Sequence, residues 1–342
     1  MKKYLLTSLV IAMVLMAVLP TVAYAKPGDD LSNNGIEILK KNPPKDLKNL
    51  GQQIKDFVAS HGKKHSPPPT PGVIGPSAKG ERYAIVIGIN DYPGPDSVLT
   101  GGLDLFYAVN DTQAVSDMLV GVAGYKPQNV IVLTDRNATK SAILNQISTL
   151  KKKVKSNDEV VFYFSGHSAK YTDKVVPNCI HYGDKVGMLV WANDLNESNP
   201  AVLWDRELKA AFDGFKTDRI VFGFDCCYAG GFNELASPGR IVLMAADGKD
   251  GISAEYGPAY AAIGAGEIPG LGWINQGLFT YFFVIQGLTW GLGDSNADGI
   301  VTVEEAFNYA QPILTQMTQD YSSMGLDEIP IMIDLFWGDL KL

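Results

Sequence analysis

The residues best suited to chemistry stand in two short stretches, Phe164-Ser165-Gly166-His167-Ser168 and Asp225-Cys226-Cys227-Tyr228, each closing an apolar run rich in β-branched and aromatic residues. The chain has three cysteines, and two of them are neighbours in the second stretch. Adjacent cysteines seldom bridge, because the ring joining them is strained. Three thiols cannot all pair, so at least one free thiol is expected. A thiol beside an imidazole is a nucleophile provided with its own base. His167 can take the proton of one of these thiols and later give it to a leaving amine, while the backbone N–H groups of Ser168 and Cys227 can hold an oxyanion. The chemistry so specified is acyl transfer. A single cysteine or histidine is more often a packed side chain than a reactive one. Here both close consecutive buried strands beside glycine, which favours the reactive reading.

These ends can meet only if the strands share a sheet. The runs at 82–89, 129–135, 158–167, 188–194 and 218–226 are continuously apolar, as expected for strands covered on both faces. Helical spacing fills the windows at about 104–121, 140–154 and 204–215. Strand and helix in alternation predict an α/β fold, a mainly parallel sheet with helices on both faces. In such sheets ligands sit beyond the carboxyl ends of the strands. Strand alternation would set Asp225 and Cys227 on one side and Cys226 on the other.

Residues 1–25 have the order of a secretory signal peptide: Lys2-Lys3, an apolar stretch at 5–19, then Ala23-Tyr24-Ala25. The stretch is shorter than the roughly 20 residues a spanning helix needs. The expectation is a secreted protein starting near Lys26, with no stable membrane insertion after cleavage; a tether formed by an uncleaved N-terminal segment is the alternative. Residues 26–80 read as a prosegment or tether. Leu47, Leu50, Ile54, Phe57 and Val58 mark one amphipathic helix there, and the "HSPPPTPG" at 65–72 an extended linker. Residues 81–342 form the expected main domain. A net charge of −8, with no basic block beyond residues 151–155, argues against a nucleic-acid partner.

The stretches "FSGHS" and "DCCYAGG", with "YAIVIGIN" near the start of the domain, "AVNDTQAV" at 108–115 and "GLFTYFFVIQGL" at 277–288, resemble the caspase-like cysteine peptidases, most closely the metacaspase branch. The resemblance covers about 82–340 and implies a caspase-like three-layer fold with His167 and Cys227 as the catalytic pair. Cys226 then stands where the family has serine. Ser168 replaces the family's glycine after the histidine, and Tyr228-Ala229 replaces His-Ser. The resemblance also implies peptide or protein substrates with Arg or Lys before the cleaved bond, held by Asp111 and Asp225; two carboxylates in one slot would suit a guanidinium. An inactive caspase-fold binding module and a calcium-dependent surface or scaffold protein stay open.

"DSNADGIVTVEE" at 294–305 fits the twelve-residue calcium loop without a mismatch. Asp294, Asn296, Asp298 and Glu305 would offer side-chain oxygens, Ile300 its carbonyl, Thr302 position nine, and Gly299 the sharp turn. The cofactor expected is Ca2+, tying a helix at about 303–311, ended by Pro312, to the sheet. The resemblance further suggests a second calcium cluster near Asp184, Asp194 and Glu234. Cys179 and His181 read as surface-loop residues, and the Asn-x-Ser/Thr tripeptides at Asn110, Asn137 and Asn196 carry no conclusion.

Overall fold

The computed structural model describes residues 73–92, 104–170, 186–192, 201–246, 267–268, 272–273, 275–319 and 329–342. The elements that build the site are β1 (Arg82–Gly88), α1 (Ala108–Gly121), β2 (Val130–Thr134), α2 (Lys140–Lys153) and β3 (Glu159–Ser165). They are followed by β4 (Ser168–Lys170), β5 (Val186–Leu189), β6 (Val202–Trp204), α3 (Asp205–Phe212) and β7 (Ile220–Asp225). After a 3-10 segment (Ala229–Leu235) come β8 (Arg240–Met244), the short pair β9 (Glu267–Ile268) and β10 (Gly272–Trp273), a π-helix (Thr280–Thr289), α4 (Val303–Gln319) and β11 (Ile331–Asp334).

Six strands form one sheet in the order β11-β8-β7-β3-β1-β2. Its five inner and β2-side strands are parallel, and β11 runs antiparallel to β8 at the far edge. Every residue of β3 and β7 is buried, because helices cover both faces. Alternation sorts their side chains: Phe162, Phe164, Phe222 and Phe224 join one core with Ile143 and Ile147 of α2 and Leu208 and Phe212 of α3. Val161, Tyr163 and Val221 join the other, with Val115 and Leu119 of α1, the π-helix and α4. Burying each such side chain contributes about 1.5–3 kcal/mol before entropy is counted. The mixed, mostly parallel sheet between helix layers is the α/β arrangement expected.

Four expectations need correction. The run at 188–194 does not enter the main sheet: β5 lies in a separate antiparallel sheet of order β4-β5-β6. Val186 and Met188 are buried there against the α2–α3 core, so the run is apolar for a different reason. The run at 129–135 is an edge strand, with Val132 43% exposed. The main sheet gains β8 and β11 instead. Finally, α4 does not stop at Pro312 but continues to Gln319 with the proline inside it. The lost hydrogen bond and ring clash cost about 3 kcal/mol; burial of Ile313 and Leu314 immediately after it offsets this.

Candidate active site

Strands β3 and β7 are hydrogen-bonded neighbours, with Phe164 opposite Phe224 and Ser165 opposite Asp225. The last rung joins the Gly166 N–H to the Asp225 carbonyl at 3.2 Å. His167 and Cys227 therefore lie equal steps beyond a paired position, on adjoining strand tips, and both are half-buried. The Ser168 hydroxyl donates to the Cys227 carbonyl, which ties the residue after the histidine to the second thiol's own backbone. His167 is also fixed through its carbonyl, which accepts from the Leu189 N–H at 2.9 Å. Its backbone N–H donates to the Tyr92 hydroxyl at 2.9 Å. Beyond Cys227 the chain turns through Tyr228, whose φ of 54° is left-handed, into the 3-10 segment.

The two thiols differ in kind. Cys226 is fully buried, and burial first, then the nearby Cys227 and Asp225, push its thiol well above the ordinary range; a hydrogen bond from Ser168 opposes them. It is held as a neutral thiol. Cys227 is the more accessible of the pair. The alternation expected beyond Asp225 does not hold, because β7 ends there and the turn begins. Cys227 packs against the same core cluster that contains Cys226.

Asp111 and Asp225, which are 114 positions apart in sequence numbering, meet beneath these tips. Asp111, 1% exposed, accepts from the Ser165 hydroxyl at 2.6 Å and the Gly277 N–H at 2.9 Å. Asp225, fully buried, accepts on Oδ2 from the Thr280 N–H at 3.0 Å and the Thr280 hydroxyl at 2.6 Å. Its Oδ1 has no hydrogen-bond partner. Tyr163 reaches the same Thr280 hydroxyl at 2.8 Å. Burial, and secondarily the charge of Asp225, pushes Asp111 well above the usual carboxylate range. Burial raises Asp225 to about 7 against the hydrogen bonds from Thr280. Asp111 is thus not a solvated cap of α1 but one wall of a buried acidic slot. Ser165, Gly277 and Thr280 were missed as members of it. All three lie in stretches that carry the resemblance, but nothing local marks Gly277 and Thr280 as partners of the acids, which are 166 and 55 residues away.

The loop at 294–305 has the turn its sequence requires, with Gly299 left-handed at φ 82°. Asp294 accepts from the Asp298 and Gly299 N–H groups at 3.1 and 3.0 Å, and Asp298 from the Ile300 N–H at 2.8 Å. Thr302 and Glu305 form a reciprocal capping box at the start of α4: the Thr302 hydroxyl accepts from the Glu305 N–H at 3.2 Å, and Glu305 Oε2 from the Thr302 N–H at 3.1 Å. The oxygen donors fit calcium in type and order. Among the described residues no group of three or more His, Cys, Asp or Glu side chains is gathered as a metal site. Glu234 is half-buried in the 3-10 segment; Asp184, Asp194, Cys179 and His181 lie outside the described residues, as do residues 1–72 with their expected signal peptide, helix and linker. No helix among the described residues is long and apolar enough to cross a membrane.

Residues 82–236, which include His167, Cys227, Asp111 and Asp225, match the family profile of the metacaspase, peptidase C14 domain. The chain is 34% identical over 180 residues to Metacaspase-1A of Neurospora crassa, covering 50% of this chain and 37% of that protein. It is 28% identical over 172 residues to Metacaspase-1A of Aspergillus terreus, covering 45% and 40%. With Metacaspase-1 of Yarrowia lipolytica it shares 35% identity over 103 residues, 28% of this chain and 21% of that one. The chain thus spans well under half the length of these relatives. A solved structure, protein GSU0716 from Geobacter sulfurreducens, overlaps 77% of this chain and 98% of its own at a TM-score of 0.46 and 14% identity. Adjoining tips that bear histidine and cysteine, on a helix-flanked parallel sheet, agree with the profile match: residues 82–236 carry the pattern of the metacaspase, peptidase C14 domain.

Proposed function

We propose that the protein is an exported, calcium-binding endopeptidase that cuts peptide bonds after Arg or Lys with a Cys227–His167 dyad. The observation that supports this reading is the β3–β7 register, in which His167 and Cys227 each follow by two residues the paired Ser165 and Asp225. In the reaction His167 takes the proton from the Cys227 thiol, and the thiolate adds to the substrate carbonyl carbon. The backbone N–H groups of Ser168 and Cys227 hold the oxygen that gains the charge. As the C–N bond breaks, the imidazolium returns its proton to the departing amine, leaving a thioester. Water, deprotonated by the same imidazole, then hydrolyses the thioester and restores the thiol. The buried, unpartnered Oδ1 of Asp225 and the shared charge of Asp111 would receive a guanidinium or ammonium and repel an acidic side chain.

Residues 1–25 direct export and are removed, and 26–80 act as prosegment or tether. Asp294, Asn296, Asp298, Ile300, Thr302 and Glu305 would hold the calcium ion, which supplies charge to fix the loop ahead of α4. Hydrolysis of fluorogenic arginyl, lysyl and aspartyl peptides tests the reading, with calcium or chelator present. Wild type should cleave the first two only. Cys227→Ala should lose at least about a thousandfold in kcat/KM, whereas Cys226→Ala should keep most of it. Loss confined to Cys226→Ala would assign the nucleophile to the other thiol, and aspartyl cleavage would remove the acidic slot from specificity.

A further inference from the structure

Tyr92 lies just beyond β1, 2% exposed, with its backbone N–H held by Asp104 Oδ1 at 3.0 Å. Its hydroxyl accepts the His167 N–H at 2.9 Å and donates over a long 3.5 Å to the Leu189 carbonyl. Its ring packs against the imidazole of His167 with centroids 5.1 Å apart, tilted by 50°. The β3–β7 ladder has already ended at Gly166, so this hydroxyl takes up an amide that the sheet no longer serves. Gly166 is cut to the same contact: its φ is 156°, and a Cβ there would stand 2.6 Å from the Tyr92 oxygen. Burial pushes the phenol well above its ordinary range, so it stays protonated and does no acid–base work of its own.

We propose that Tyr92 is a positioning residue for His167: it fixes the backbone and one ring face of the imidazole, so that the ring keeps one orientation at the tip of β3, beside the tip that bears Cys227. The proposal rests on the Cys227–His167 reading. Proton transfer within a thiol–imidazole pair is sensitive to small displacements, and the tip of β3 beyond its last rung is where such displacement would arise.

Tyr92→Phe keeps the ring and removes the acceptor. On arginyl peptides kcat should fall roughly tenfold, with KM within about twofold, as expected when ground-state binding is spared. The pH profile of Cys227 alkylation by iodoacetamide should shift relative to wild type, which a purely structural role would not produce. Unchanged kcat and an unshifted alkylation profile in folded Tyr92→Phe overturn the proposal. Should that variant fail to fold, hydrogen exchange of the His167 amide in wild type decides: protection supports the bond to Tyr92, and exchange at the rate of an open loop overturns it. Cys227→Ala and His167→Ala, assayed alongside, separate this outcome from failure of the dyad itself, since retained activity in either sinks the dyad whatever Tyr92 does.

Discussion

Asp225 presents one carboxylate oxygen to Thr280 and leaves the other unpartnered in a fully buried slot, facing the equally buried Asp111. Two acids so placed resist ionising together, and burial raises Asp225 from 3.8 to about 7. A cationic substrate side chain needs the carboxylate. KM for arginyl peptides should therefore rise roughly tenfold per pH unit below about 7 and level off above it; a KM independent of pH from 5 to about 8 would remove Asp225 from substrate binding. The same group bears on stability. A carboxyl whose folded value is raised contributes stability present in full below about 4 and lost as pH rises through about 7. Melting curves of Asp225→Asn should be flatter over that window than those of wild type. His167, Cys227, Asp111 and Asp225 were legible because short motifs surround them. Thr280, Gly277 and Tyr92 were not, because each acts through hydrogen bonds to residues distant in sequence.

At the scale of elements, the Thr302–Glu305 pair has two uses in one stretch of chain. Threonine followed three residues later by glutamate is both the end of a calcium loop and a helix-starting box, and the structure displays the second use. Glutamine can serve in such a box but lacks the anionic bidentate group calcium takes at position twelve. Glu305→Gln should then keep the melting temperature of the calcium-free protein within about 2 °C of wild type while losing the rise that calcium produces. Thr302→Ala should lower stability with or without calcium, by about 1 kcal/mol. A calcium-induced rise that survives in Glu305→Gln rules the loop out as the site. Continuous apolar runs revealed β1, β3 and β7, whose faces are both covered. The same signal placed 188–194 wrongly, because a strand of a small antiparallel sheet can be equally buried. The Pro312 stop failed because packing of Ile313 and Leu314 outweighs a local break.

Over the whole molecule the two poles of the sheet have different tasks. Histidine and cysteine close one pole. At the other, where strands begin, Ile74 bridges to Asp339: the Gly75 N–H donates to the Asp339 carbonyl at 2.8 Å and the Asp339 N–H to the Val73 carbonyl at 2.7 Å. The Arg219 guanidinium gathers Glu159, the Pro76 carbonyl and the Lys341 carbonyl on that side. The export reading is tested in a secreting host by mass spectrometry of the released protein: an N-terminus near Lys26 is expected, and an intact Met1 retained with membranes would point to the tether. The far-side fastening also bears on how the leading segment could be used. Val73, fastened to Asp339, lies at the pole of the sheet opposite His167 and Cys227. An affinity handle or lipid anchor spliced there would leave the histidine and cysteine tips pointing outward.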